Sequence, residues 1–452
     1  MARPVTPSRP LALAPGPRRD RRRPAAAVAA VAVAAGLALA TWLGVGGGAA
    51  GSPGANGDAG SRAAGASSAR SPATISSADV APSASAAASG VPAPSSSGAG
   101  PSPSPQTPGV DRTVLQARLQ ATLDATRAKL RIPGVSATVV FADGTRWTGV
   151  SGLADVPARR PVTPETAFAL ASVSKTFTSA VILELVGEGR LRLTDPAAGL
   201  LPAGLPIVLD RRITVAMLLN HTSGLADYFL NPRIDLALQR APTRAWTPAM
   251  ALRYVGKRLA VPGKAWHYSN TNYVLLGLIA ERLTGRSLAA EIRSRILDPV
   301  HLSMTWYQAA EGGLGALAHG YRFVGSRPTA KPIDLADGSG IAPFRSVVTA
   351  AAGAGSLAGT SGDLASWGRA LYGGSVLGPA GTALLLSDFH KTRDYVAGVV
   401  YGYGIQAASI DGHPSFGHSG RLLGFRSVVR HFPIDGITIA VLTNQSRADP
   451  AV

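Results

Sequence analysis

Apolar side chains recur at Val114, Leu115, Leu119, Leu123 and Leu130, the spacing of a helix with one buried stripe, so the pattern predicts a helix over 114–130 lying on a sheet. The period then shortens to two. Val135 to Ala142 alternates as a strand, Asp143-Gly144 supplies a hairpin turn, and a second strand follows near Thr145 to Ser151. A long apolar run, Phe177 to Val186, begins after a loop containing Pro and Thr (161–166) and stops at Gly187 to Gly189. This predicts a buried helix that starts near Ser172.

Farther along, Ile213 to Leu225 reads as a short helix closed by a His221-Thr222-Ser223-Gly224 turn. A loop over 262–270 leads into a helix at Tyr273 to Thr284, so Tyr268 and Asn270 are expected in the loop at its entrance. Helices are also predicted at Leu288 to Leu297 and Leu364 to Tyr372, with a Gly/Ala-rich loop at 350–360 between them. Strands follow at Tyr403 to Ile410, Pro414 to Ser419, Gly424 to Phe432 and Ile437 to Thr443, separated by Asp-Gly turns at 411–412 and 435–436. Strands at both ends and helices between them predict an α+β domain over 110–452.

Composition changes the picture at the N-terminus. Residues 1–24 hold seven Arg and one Asp and read as a basic cytoplasmic tail; residues 25–45 are uncharged and mostly Ala, Val, Leu and Gly. As a helix the second stretch would span about 31 Å, enough for a bilayer core. A basic segment before an apolar one predicts a transmembrane signal anchor, or a signal peptide cleaved near Gly48-Ala49-Ala50, and either one exports the rest of the chain. Residues 46–109 are dominated by Ala, Ser, Gly and Pro and read as a disordered linker that builds no core. With no cysteine there is neither a disulfide nor a lipid-modified thiol.

The net charge is +18, of which the first 24 residues carry +6 and residues 110–452 carry +12. A basic outer domain would be drawn to anionic cell-wall polymers. No nucleic-acid motif gives the charge a more specific meaning. Eight scattered His and no Cys show no metal-site spacing, so neither metal nor cofactor is expected.

Ser172 and Lys175 lie three residues apart at the predicted helix start, which puts a hydroxyl and an amine on one face beside unpaired backbone N–H groups. Taken in order, Ser172-Val173-Ser174-Lys175, the Leu-Leu-Asn-His-Thr-Ser-Gly-Leu stretch at 218–225, Tyr268-Ser269-Asn270, Ala318-His319-Gly320-Tyr321 and Gly417-His418-Ser419-Gly420 resemble the serine β-lactamase-related family. That family includes class C β-lactamases, D-alanyl-D-alanine carboxypeptidases, D-aminopeptidases and esterases.

The resemblance implies an antiparallel sheet flanked by helices, with a helical lobe and the site between them. It implies a serine hydrolase working through an acyl-enzyme, with Ser172 as nucleophile, Lys175 and Tyr268 as base and proton relay, and Asn270 on the substrate amide. The backbone N–H groups of Ser172 and Arg421 would form the oxyanion hole, and His418 and Gly420 would edge the site, His418 near a substrate carboxylate. His221 is expected to be a hydrogen-bonded structural group. The chain departs from class C enzymes in having His418-Ser419-Gly420 in place of Lys-Thr-Gly, and only residues 444–452 follow the last strand where the family usually has a helix. The functions implied are a D,D-carboxypeptidase or related peptidase on wall peptides, a β-lactamase or esterase, or a catalytically weak penicillin-binding module that docks on the wall. An α/β-hydrolase is disfavoured because no Gly-x-Ser-x-Gly occurs.

Overall fold

The computed structural model describes residues 111–323, 331–393 and 395–445. The expected basic tail, apolar segment and linker lie outside these residues. Among the described ones, no helix is long and apolar enough to cross a membrane.

The alternating segments and their turns build a nine-stranded antiparallel sheet. Its strands are β1 (Gly134–Val140), β2 (Arg146–Asp155), β3 (Arg160–Pro161), β4 (His390–Lys391), β5 (Val400–Tyr401), β6 (Gln406–Ile410), β7 (His413–Leu422), β8 (Phe425–Phe432) and β9 (Ile437–Thr443). The spatial order is β3-β2-β1-β9-β8-β7-β6-β5-β4. Strands from the two ends of the domain therefore meet inside the sheet, Val135 opposite Thr443 and Val140 opposite Thr438.

On one face lies α1 (Arg112–Leu130), whose N-terminus is capped by the Asp111 side chain accepting from the N–H groups of Thr113 and Val114. Leu115, Leu119 and Leu123 pack in one cluster with Val135, Val139, Trp147, Ile439 and Val441. Val114 points away from that stripe and is exposed. The other face carries the larger core, made with α2 (Ser174–Gly187), α3 (Val215–Leu219), α4 (Pro232–Arg240), α5 (Pro248–Leu252), α6 (Asn270–Thr284), α7 (Leu288–Ile292), α8 (Arg345–Ala351), α9 (Ser361–Tyr372) and α10 (Gly378–Leu385). The Trp367 ring on α9 stacks on Phe177 of α2 at 4.2 Å, and its indole N–H donates to Thr176 Oγ1 at 2.8 Å. That pair fixes the helix of the predicted nucleophile to a helix packed on the sheet.

Several expectations change in the structure. The short helix expected in 213–225 is Val215–Leu219, and the chain turns after it through Asn220 and His221, the latter in the left-handed region at φ +65°. The expected loop at 350–360 contains the middle strand, Leu357–Gly359, of a small sheet with Phe168–Ala169 and Thr305–Tyr307. Residues 446–452 lie outside the described residues; all of Ile437–Thr443 is buried, with α1 leucines in the same cluster as its Ile437, Ile439 and Val441.

Candidate active site

Ser172 does not begin the long helix. It lies in a single 3₁₀ turn, Ala171–Val173, and α2 starts at Ser174. Residues three apart share a face in a 3₁₀ turn, so the expected meeting of Ser172 and Lys175 survives the shift. Ala171 has φ +50°, a conformation that costs energy for a residue with a β-carbon, and it bends the chain just ahead of the serine. Buried Ser174 accepts from the Leu357 N–H at 3.1 Å, which ties the helix start to the small sheet.

Lys175 is fully buried. Its Nζ donates to Asn270 Oδ1 at 2.7 Å and to the Ala354 carbonyl at 2.8 Å, and lies 3.2 Å from Ser172 Oγ. Burial pulls its pKa down to about 7, against the opposing pull of the Asp227 carboxylate. Tyr268 also hydrogen-bonds Ser172, and burial, with Tyr395 beside it, pushes its phenol well above the ordinary value. Tyr268 is therefore protonated near neutrality. Its ring stacks on Tyr395 at 5.2 Å and lies 5.0 Å from the Lys175 ammonium.

Asn270 is the first residue of α6, where a loop position was expected. One end of its amide accepts from Lys175 and the other donates to Asp227 Oδ2 at 2.8 Å. The amide is thus anchored inside the protein at both ends.

His418 corrects an expectation. It is fully buried, its Nδ1 lies 2.7 Å from the Ser419 carbonyl, and its Nε2 lies 2.9 Å from the Tyr401 hydroxyl. A carbonyl only accepts, so Nδ1 carries the proton and Nε2 accepts from Tyr401. Burial and the nearby Lys175 lower its pKa to about 3, so it is neutral throughout the physiological range. Neither the expected titration near neutrality nor a free donor for a substrate carboxylate is present.

Gly420 is where β7 meets the turn that carries Ser172. A β-carbon there would stand 2.4 Å from the Leu170 carbonyl oxygen, 2.2 Å from Ser427 Oγ and 3.1 Å from the Ala171 β-carbon. Only glycine allows that approach, which brings the backbone entering Arg421 alongside Ser172. Arg421 itself is exposed, opposite Arg426 in the strand pair.

His221 is structural, as expected. Its Nδ1 accepts from the Ser269 N–H at 3.2 Å and from Asn272 Nδ2 at 3.0 Å, and its ring lies 4.4 Å from that of Tyr268. Burial, followed by Lys175, lowers its pKa well below the ordinary value, so it supports Tyr268 as a neutral ring. Asp227 and the Ala354 carbonyl were not found from the sequence. Asp227 sits before a short turn with no periodic signal, and a backbone carbonyl has no signature at all.

Asp155, His319 and Asp334 offer the one grouping of metal-ligand type among the described residues. His319 Nδ1 lies 2.9 Å from Asp334 and Nε2 lies 3.5 Å from Asp155, so each nitrogen faces a different carboxylate. That arrangement clips β2 to the 332–334 strand.

A serine hydroxyl beside a buried amine of lowered pKa, a protonated phenol and a strand backbone in close approach has the parts that acyl transfer needs. The Beta-lactamase family model matches residues 119–452. Penicillin-binding protein 4 of Amycolatopsis lactamdurans is 32% identical over 345 residues, covering 73% of this chain and 85% of that protein. Esterase EstB of Burkholderia gladioli is 32% identical over 213 residues, 45% of this chain and 54% of the esterase. Among solved structures, a D-stereospecific amidohydrolase from Streptomyces sp. superposes with a TM-score of 0.61 at 27% identity, over 74% of this chain and 94% of that one. The chain belongs to the Beta-lactamase family and is a serine hydrolase.

Proposed function

We propose that Ser172 is the nucleophile, Lys175 its base and Tyr268 the proton donor of an acyl-enzyme pathway on D-amino-acid-containing cell-wall peptides, the D,D-carboxypeptidase type of reaction. The carrying observation is the direction of the Lys175 contacts. Two of its three partners, Asn270 Oδ1 and the Ala354 carbonyl, can only accept. A neutral amine has two hydrogens, and both are used there. The lone pair is left facing the third partner, the Ser172 hydroxyl.

Ser172 Oγ bonds to the substrate carbonyl carbon as its proton moves to Lys175, whose ammonium then has an acceptor for each hydrogen. Tyr268 gives its proton to the leaving group as the scissile bond breaks and recovers one from Lys175. Water reverses the sequence and frees the acid. The backbone N–H groups of Ser172 and Arg421 take the oxyanion, a reading supported by the contact of Gly420 with the nucleophile turn.

The peptide substrate is supported by kinship with a penicillin-binding protein and a D-stereospecific amidohydrolase, and by the basic domain, which suits anionic wall polymers. A second reading, an esterase or amidase on substrates without a carboxylate, is favoured by neutral, fully engaged His418. Turnover of an acyl-D-Ala-D-Ala peptide, a D-amino-acid amide, a short ester and a cephalosporin separates the readings. Release of D-Ala supports the first; turnover of ester or amide with an inert peptide replaces it with the second. Penicillin is expected to leave one covalent adduct per chain by intact mass, on Ser172 and absent from Ser172→Ala. An adduct that persists in that variant would overturn the nucleophile assignment.

The proposal includes export, supported by the basic residues 1–24 ahead of the uncharged stretch 25–45. Protease added to intact, wall-stripped cells is expected to remove the catalytic domain. Full protection would refute export.

A further inference from the structure

We propose that Asp227 is a positioning residue that aims the Lys175 lone pair at Ser172 by fixing which way round the Asn270 amide sits. The proposal rests on the reading of Lys175 as base. An amide side chain has a donor end and an acceptor end of nearly equal shape, so its orientation is decided by its partners. Asp227 Oδ2 accepts from Asn270 Nδ2 at 2.8 Å and so turns Oδ1 toward Lys175, which donates to it at 2.7 Å. With the amide reversed, its NH2 would face Lys175. The lone pair would then be drawn to that NH2 and away from the serine hydroxyl.

Asp227 suits this task only as a carboxylate, and the hydrogen-bond partners its oxygens meet are donors. Its Oδ1 accepts from the Phe229 N–H at 3.0 Å, and the backbone N–H of Asn270 also donates to it. These partners are donors, so a proton on either oxygen would displace a hydrogen bond in a residue only 8% exposed. Burial raises its pKa, while these donors and Lys175 act in the opposite direction.

Asp227 is also the charge that Lys175 feels. The titratable groups around the amine are His221 from the turn after α3, His418 from β7, Tyr268 ahead of α6 and Tyr273 within it. Both histidines are held neutral and both phenols protonated. Asp227, among the described residues, is left as the charged group acting on Lys175. Removing it takes away a pull toward the ammonium, so the amine loses its proton at lower pH.

The test is the pH profile of kcat/KM for p-nitrophenyl acetate in the full chain, for the wild type, Asp227→Asn, Asp227→Ser and Lys175→Ala. Asn at 227 presents an NH2 where a carboxylate oxygen met a donor and disturbs the Asn270 orientation; Ser keeps a capping oxygen without the charge. The wild-type rate is expected to fall tenfold per unit below about pH 7, the Lys175 value. Both Asp227 variants are expected to lose about tenfold or more at the plateau and to shift that limb to lower pH by about one unit. A merely structural role would lower the plateau and leave the limb in place, and that result overturns the proposal. If Asp227→Asn does not fold, Asp227→Ser alone decides by the same limb. Retention of the wild-type limb in Lys175→Ala would instead overturn Lys175 as base, a separate failure.

Discussion

Lys175→Met is expected to lower kcat/KM on every substrate class by roughly three to four orders of magnitude, the upper part of the range for general acid–base catalysis. Methionine keeps an unbranched apolar stem in a fully buried position and removes only the amine. Ser172 then keeps Tyr268 as a partner, but that phenol is protonated and holds no free base for the serine proton. The loss should therefore fall on acylation. Stopped-flow measurement with a chromogenic ester should show the burst phase disappear, with KM changed far less than kcat. The amine cannot be replaced by raising the pH, so the acidic limb near pH 7 should vanish along with the rate. A Lys175→Met enzyme within tenfold of wild type would require another base and would shift attention to Tyr268.

Gly420→Ala carries the second large effect, and its cause is steric. The added methyl meets the Leu170 carbonyl oxygen and Ser427 Oγ, which are themselves hydrogen-bonded at 2.6 Å. Neither the carbonyl nor the strand partner has room to retreat, because Leu170 and Ser427 are buried and Leu170 precedes the strained Ala171. Overpacking of this kind costs about 1–3 kcal/mol in stability. The larger effect is on rate, since the same contact sets the distance from the β7 backbone to Ser172. Displacement by about 1 Å in such a site costs on the order of a hundredfold. The expected result is a folded protein with a melting temperature lowered by several degrees and kcat reduced by about 100-fold, read by calorimetry and ester turnover. In the double variant Gly420→Ala/Ser427→Gly one of the two clashes is gone, and part of the stability should return. A Gly420→Ala enzyme with wild-type kcat would show that the β7 backbone does not contribute to the oxyanion site.

His418 shows how burial can alter what a residue type does. An imidazole with an ordinary pKa near 6.5 sits at the right point in the motif order to meet an anion. Here Tyr401 and the Ser419 carbonyl occupy both ring nitrogens, and the ring is sealed from water. Placing a proton on it would bury a second cation near Lys175. Both ring nitrogens are thus spent on Tyr401 and on the strand that carries the motif.

The sequence by itself determined the elements whose periodicity is strong and local. The stripe of Leu115, Leu119 and Leu123, the apolar run from Phe177, and the Asp-Gly turns between the last strands each arise from side-chain spacing, and each is present. It also determined the pairing of Ser172 with Lys175, because a three-residue separation puts the two on one face in a 3₁₀ turn as in a helix. What only the tertiary structure decided involves partners far apart in the chain. Asn270 reaches Lys175 across 95 positions and the Ala354 carbonyl reaches it across 179, and the second uses a backbone atom that every residue possesses. The direction of the Asn270 amide depends on Asp227, which no periodicity marks. The lowered pKa of Lys175 is likewise a property of enclosure: the same side chain at a solvated helix start would remain an ammonium.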